Sequence, residues 1–358
     1  MTITDDQLHA AGRQLLNLSY ETWNFGDSVA FEAMIALSAR SGRPDYLQFA
    51  RGYFRAWATR ALPYRHLDLT APGRAMVSAY EATGDSHVLE AALRLADHLV
   101  ARRRMGDVFA TWESSPLMHA YGPETLDARG SALLANPPAG VFVDCLHFDP
   151  PFLTALGRTA GREDLLEEGV RQALGYVALL QTSSGLFDHF ILERVPGRFG
   201  PGWGRGQGWA LLGLLDVLDV LDLLGGSPHR AAPEISHAAA RLATRMLELQ
   251  RPDGHWNAVV DDTDGDVESS TAAFMAHGLR RAARRGLLDN DRAYNVINAA
   301  DLAVQRSTSP DGLLKGVSAA VMACTEPTHY AHVPRGFAVP WGQGPLVLAL
   351  LDAAEKDA

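Results

Sequence analysis

The sequence predicts an all-α protein: six helical hairpins closed into an (α/α)6 barrel, one domain over residues 1–358. Three observations predict it. Apolar residues recur at helical spacing in segment after segment, the joints between segments repeat, and alternating strand patterns are few and short, as at Leu186–Leu192 and Trp256–Val260. In chain order the periodicity predicts helices over Thr4–Tyr20, Ser28–Ser41, Asp45–Ala61, Gly73–Thr83, Ser86–Arg103 and His147–Thr159. It continues over Arg162–Leu180, Gln207–Leu224, Ala231–Gln250, Ser269–Arg284, Asp291–Gln305 and Pro345–Asp357. The stretch Gly106–Gly140 reads as a loop-like insertion between hairpins.

The joints carry a glycine that closes one helix and an acid that caps the next, as around Asp45, Asp85, Asp164 and Asp289. A second repeat follows amphipathic helices: Gln181-Thr-Ser-Ser-Gly185-Leu-Phe, Gln250-Arg-Pro-Asp-Gly254-His-Trp and Ser309-Pro-Asp-Gly312-Leu-Leu. Each is a turn followed by an apolar residue expected to dip into a shared cavity. Ala210–Leu224 is nearly all apolar, with Asp216, Asp219 and Asp222 as its only polar stripe, so it is expected to line the inside of the ring.

Composition narrows the function classes. Hydrophobic residues make up 47% and charged residues 21% of the chain, an ordinary globular profile. The net charge of −10 argues against nucleic acid as a partner. The N-terminus has no basic region followed by an apolar run, and no stretch is long and apolar enough to span a membrane, so the expectation is a cytoplasmic protein, monomeric or weakly dimeric. Cys145 and Cys324 form no disulfide framework and are expected to be buried thiols; no His-x-x-x-His or Cys-x-x-Cys points to a metal.

The residues that could carry chemistry are concentrated in two stretches. In Trp203-Gly-Arg-Gly-Gln-Gly-Trp209, indole faces suit a sugar ring, a guanidinium fork suits a carboxylate, and glycines let backbone approach a ligand. In Val141-Phe-Val-Asp144-Cys-Leu-His-Phe-Asp149-Pro-Pro-Phe-Leu, Asp144 lies in an apolar run. A carboxyl buried in such surroundings keeps its proton to higher pH, as a general acid requires. Residue types alone favour the simpler role of a helix cap for Asp144, for Asp149 ahead of its two prolines, and for Asp68 ahead of Gly73. His189, in Gly185-Leu-Phe-Asp-His189, reads first as a structural histidine. The hydroxyls of Ser269-Ser270-Thr271 after Glu268 either cap a helix or help its free N–H groups hold a carboxylate.

Taken in order, these segments resemble the unsaturated glucuronyl and unsaturated rhamnogalacturonyl hydrolases, families 88 and 105 of the glycoside hydrolases. The resemblance rests on Asp68-x4-Gly73, Tyr80-Glu-Ala-Thr-Gly-Asp85, Val143-Asp-Cys-Leu-x3-Pro-Pro-Phe-Leu153, Gly185-Leu-Phe-x-His189, Trp203–Trp209, Glu268-Ser-Ser-Thr, Asp311-Gly-Leu and Trp341-Gly-Gln-Gly-Pro345. It implies an (α/α)6 barrel without metal or cofactor, acting on a small acidic oligosaccharide. It implies removal of a 4,5-unsaturated uronic acid from the non-reducing end of lyase products by hydration of the vinyl ether. Asp144 falls on the acid/base position and Asp68 on a second important aspartate. His189, Trp203, Arg205, Trp209 and Ser270 fall in the substrate-binding set, with Arg205 facing the uronate carboxylate. The chain departs from the family pattern at His147, Phe148, Asp188 and Trp341. Two other readings stay open at this point: another (α/α)6 sugar enzyme of the epimerase type, and a toroid that binds acidic oligosaccharides without catalysis.

Overall fold

The computed structural model describes residues 3–20, 25–59, 71–112, 121, 128–321 and 326–356. Its helices are α1 (Asp5–Asn17), α2 (Asp27–Ser41), α3 (Pro44–Ala58), α4 (Gly73–Thr83), α5 (Ser86–Val100), α6 (Ala128–Ala135) and α7 (Cys145–Ala160). They continue with α8 (Glu163–Leu180), α9 (Gly204–Asp222), α10 (Ala232–Glu248), α11 (Ser269–Arg284), α12 (Asn290–Ser307), α13 (Pro327–Ala331) and α14 (Pro340–Lys356). Helices α2, α4, α7, α9, α11 and α14 pack each on the next, and α14 returns to α2, closing an inner ring. Helices α3, α5, α8, α10, α12 and α1 back them from outside, so the hairpins form the expected (α/α)6 barrel.

The joints follow the expected chemistry with one adjustment. Gly42, Gly84 and Gly161 close their helices in the left-handed region. The side chains of Asp85 and Asp289 cap α5 and α12, whereas Asp45 and Asp164 lie inside the first turns of α3 and α8, paired with Arg43 and Arg162. Residues 204–218 of α9 are buried without exception, as an inner helix requires.

The second repeat closes the outer layer, and the apolar residues after its turns, among them Phe187, Trp256 and Leu314, are buried in the common core. Gly185, Gly254 and Gly312 all have positive φ, and a Cβ on each would strike the backbone of the next outer helix: Arg241 O in α10, Ala299 O in α12 and Ala10 C in α1. Glutamine side chains pin these turns. Gln181 Nε2 donates to Gly185 O and Ala238 O, and Gln250 Nε2 to Gly254 O and Val296 O. At the last joint Gln343 donates to Gly312 O and Ala11 O, tying the end of the ring to its beginning.

Short strands occupy the long connections. β1 (Arg104–Met105) pairs antiparallel with β2 (Val108–Phe109), so the expected insertion is partly structured. β3 (Gly140–Phe142) pairs antiparallel with β4 (Phe190–Leu192), the latter inside the expected alternating stretch. Trp256–Val260 contributes only isolated bridges, Trp203 with Val259 and Asn257 with Val267. No helix among the described residues is long and apolar enough to cross a membrane.

Candidate active site

Alternate helices of a hairpin ring run parallel, so the six inner helices present their N-termini at one end. The β3–β4 ladder fixes two chemical groups there. Its last pair is Phe142 with Phe190, whose rings stack at 4.6 Å, and Val143 N–H donates to His189 O at 2.8 Å. Asp144, two residues past β3, and His189, one before β4, are thereby held side by side.

Asp144 occupies the N-cap position of α7 but makes no capping bond through its side chain, against the reading from residue types alone. Its side chain keeps 12% exposure, and Oδ2 lies 3.5 Å from His189 Nε2. His189 is sealed, and its Nδ1 is 2.8 Å from the Tyr330 hydroxyl. Burial pushes the imidazole below its usual pKa, Asp144 opposes that shift, and the Arg205 charge adds to it. The net shift is downward, so burial favours the neutral form of the ring.

Trp203 packs on His189 with ring centres 4.1 Å apart. The Arg205 guanidinium sits 5.2 Å from the Trp203 ring and 5.7 Å from the Trp341 ring, an aromatic sandwich around a cation. Arg205 is fully buried. Nη1 donates to Ser318 Oγ at 2.8 Å and O at 3.3 Å, Nη2 to Ala319 O at 2.9 Å, and Glu268 Oε1 lies 3.6 Å from Nη1. Its fork is directed at the Ser318–Ala319 segment, so the expected contact with a substrate carboxylate would require these bonds to be given up.

Glu268 organises the neighbouring helix end. One oxygen accepts from Thr271 N and Oγ1 and from Ser270 Oγ; the other accepts from Ser318 N and Oγ. Burial alone would raise its pKa, yet the Arg205 charge and these hydrogen bonds hold it below the usual range. The cap of α11 is thus the carboxylate, and the Ser270 hydroxyl serves it as a donor.

The structure places other expected residues deeper. Trp209 is fully buried, 5.2 Å from the His147 ring and 4.7 Å from that of Phe274. The glycines of this segment admit helices rather than a ligand: a Cβ on Gly204 would meet Thr271, and one on Gly208 would meet Phe274. Gln207 clamps the Phe187 backbone through both N–H and C=O. Asp149 caps nothing. Helix α7 starts at Cys145, which leaves Asp149 and both prolines inside it. Burial, opposed by Arg102, pushes the Asp149 carboxyl up to about 7. Asp68 lies outside the described residues, as does Cys324; Cys145 is a buried free thiol.

Sequence reasoning missed Tyr330, the role of Glu268, and the stack of Phe25 on Trp341 at 4.6 Å. It also missed a charged cluster inside the barrel. His147 Nε2 lies 3.4 Å from Glu32 and its Nδ1 3.7 Å from Asp216. These three could offer ligand atoms to a metal ion. The carboxylates, however, already hold guanidiniums: Arg74 contacts both and Arg281 reaches Asp216 at 2.6 Å. An ion-pair cluster describes this arrangement better.

The hairpin ring with a carboxyl, a histidine and aromatics at its mouth has the architecture of a carbohydrate-active toroid. A structure described as a possible member of family GH105, from Salmonella enterica serovar Paratyphi A, superposes with TM-score 0.82 at 19% identity, covering 98% of this chain and 93% of that one. The unsaturated glucuronyl hydrolase of Bacillus sp. GL1 superposes with TM-score 0.70 at 17% identity, covering 97% and 94%. At such identities these likenesses establish the fold. In sequence, the unsaturated rhamnogalacturonyl hydrolase YesR of Bacillus subtilis (strain 168) is 23% identical over 333 residues, 92% of this chain and 89% of that protein. The model of Glycosyl Hydrolase Family 88 matches residues 4–356, and the chain belongs to that family. It is a glycoside hydrolase.

Proposed function

We propose that this hydrolase removes a 4,5-unsaturated uronyl residue from the non-reducing end of lyase-generated oligosaccharides, with Asp144 as the group that moves the proton. The observation that carries the reading is Asp144 itself: a largely buried carboxyl that keeps 12% side-chain exposure, free of any capping bond, beside the buried His189 imidazole. The similar proteins named as unsaturated rhamnogalacturonyl and glucuronyl hydrolases support the substrate class. Six inner-helix N-termini at one end also suit an anionic sugar, since each helix presents its positive dipole end there.

The protonated Asp144 delivers H⁺ to C4 of the vinyl ether, and the double-bond electrons form the C4–H bond. Water adds at C5 and gives its proton to the Asp144 carboxylate, which regenerates the acid. The C5 hemiketal opens to a ketone, the hemiacetal left at C1 collapses, and the neighbouring sugar departs with the glycosidic oxygen. The anomeric carbon is never attacked, so the usual spacing rule for paired glycosidase carboxylates does not apply. In this reading Asp68 assists as the second aspartate, Trp203 borders the sugar, and Trp209 supports the pocket from behind. Arg205 and Ser270 hold the surrounding loop through Ser318 and Glu268.

The test supplies unsaturated disaccharides from pectin, glycosaminoglycan and ulvan-type lyases. It follows the near-ultraviolet chromophore together with release of the neighbouring sugar. The two should change in step, and the rate should fall in D2O. Release of the sugar with the chromophore intact would overturn the proposal. An unchanged chain length with an altered sugar configuration would instead indicate an epimerase.

A further inference from the structure

Tyr330 has no part in the chemistry above. It stands on α13, in the long connection between α12 and α14, 141 residues from His189 in sequence, yet its hydroxyl meets His189 Nδ1 at 2.8 Å. The ring is buried, with its centre 6.0 Å from that of His189 and 6.3 Å from that of Trp203. The backbone opposite is shaped for this contact. Gly200 has φ of +63°, and a Cβ there would fall 1.9 Å from Tyr330 Oη and 2.7 Å from His189 Cβ. Gly200 O and Phe199 O lie within reach of the His189 backbone N–H at 3.2 and 2.8 Å. A glycine in the left-handed region therefore both holds the His189 backbone and leaves room for the tyrosine.

We propose that Tyr330 is a positioning residue of the reaction: its hydroxyl fixes the His189 ring with Nε2 toward Asp144, and it acts on Asp144 only through that ring. The inference rests on the reading of Asp144 as the proton donor. A neutral imidazole has one donor and one acceptor nitrogen, and a hydroxyl can serve either. With the ring proton on Nε2, Nδ1 accepts from the Tyr330 hydroxyl and Nε2–H faces Asp144 Oδ2, which is an acceptor both in the carboxylate and as the carbonyl oxygen of the acid. One tautomer and one ring orientation then serve throughout the turnover, and the acid's proton on the other oxygen stays available to C4. Among the described residues, the charged groups facing His189 are Asp144 from the start of α7 and Arg205 from α9. The remaining ring contacts are to Phe142, Phe190, Trp203 and Tyr330. Aromatic walls leave rotation of the ring to be decided by its two nitrogen contacts.

The experiment measures kcat and KM on an unsaturated disaccharide for the full chain carrying Tyr330→Phe, His189→Asn, both, or Asp144→Asn. Tyr330→Phe keeps the ring and removes one oxygen. It should lower kcat about tenfold or more through lost orientation while KM stays within about twofold. In the His189→Asn background it should have no further effect, because the residue through which it acts is gone. Gly200→Ala should act in the same direction as Tyr330→Phe. A wild-type kcat for Tyr330→Phe, or an equal loss with and without His189, would overturn the inference. If Asp144→Asn is inactive while Tyr330→Phe is unimpaired, only the role of Tyr330 fails. An active Asp144→Asn removes both readings.

Discussion

Asp144 and Asp216 sit on adjacent inner helices of one barrel and are treated in opposite ways. Asp216, far along α9, is clasped by Arg281 at 2.6 Å and Arg74 at 3.3 Å, with His147 at 3.7 Å. Burial would weaken it as an acid, but Arg74, Arg281 and His147 together bring its pKa down to about 2. Asp144, at the start of α7, has an imidazole at 3.5 Å, no capping bond and a side chain that keeps 12% exposure. One carboxylate is locked in its charged form to join helices. The other is held by no guanidinium among the described residues. The difference lies in the partners and not in burial, since both have little exposed surface.

The contrast breaks most visibly at Asp144. Asp144→Asn should cut turnover on the order of 10³-fold, as loss of an acid/base group does, with circular dichroism and melting temperature near wild type. Asp216→Asn should do the reverse. It leaves Arg74 and Arg281 short of a buried partner and should cost about 3–5 kcal/mol in denaturant unfolding, while the folded fraction retains its kcat.

Asp149 sharpens the comparison through pH. Its folded pKa of about 7 lies above the ordinary value of 3.8, so the unfolded chain loses this proton first as pH rises. The stability it contributes is present below about pH 4 and is lost as pH climbs through 7. Asp149→Asn should flatten that slope and add up to about 4 kcal/mol at pH 8, read from unfolding midpoints across pH. Asp216 has the opposite sign: its stabilisation is present above its unfolded value and is lost as pH falls toward 2. The smallest expected effect is at Arg205. Arg205→Lys keeps the charge but loses the fork to Ser318 and Ala319, and should reduce kcat/KM by roughly tenfold.

The ring was legible because each hairpin repeats the same local physics: a 3.6-residue apolar period, a left-handed glycine, and a polar start to the next helix. The site was legible in part. Asp144 stands out only through its sequence context, since a lone acid before a helix reads as a cap; the structure shows the cap position filled and the capping bond absent. Glu268 carried a readable signal, an acid three residues before Thr271 N, but the adjacent hydroxyls drew attention away from it. The partners of Arg205 were not readable, and neither was Tyr330. Their partners lie 113 and 141 residues away, and local periodicity carries no information about which loop folds back over the mouth. Asp149 misled because two prolines usually mark a helix start, whereas here they lie within α7.

The most direct test follows the near-ultraviolet absorbance of an unsaturated uronyl disaccharide with wild-type protein and with folded Asp144→Asn at equal concentration. The absorbance should disappear with the wild type, in step with release of the neighbouring sugar, and persist with the variant. Clearance by Asp144→Asn at the wild-type rate would contradict the assignment of Asp144 as the proton donor.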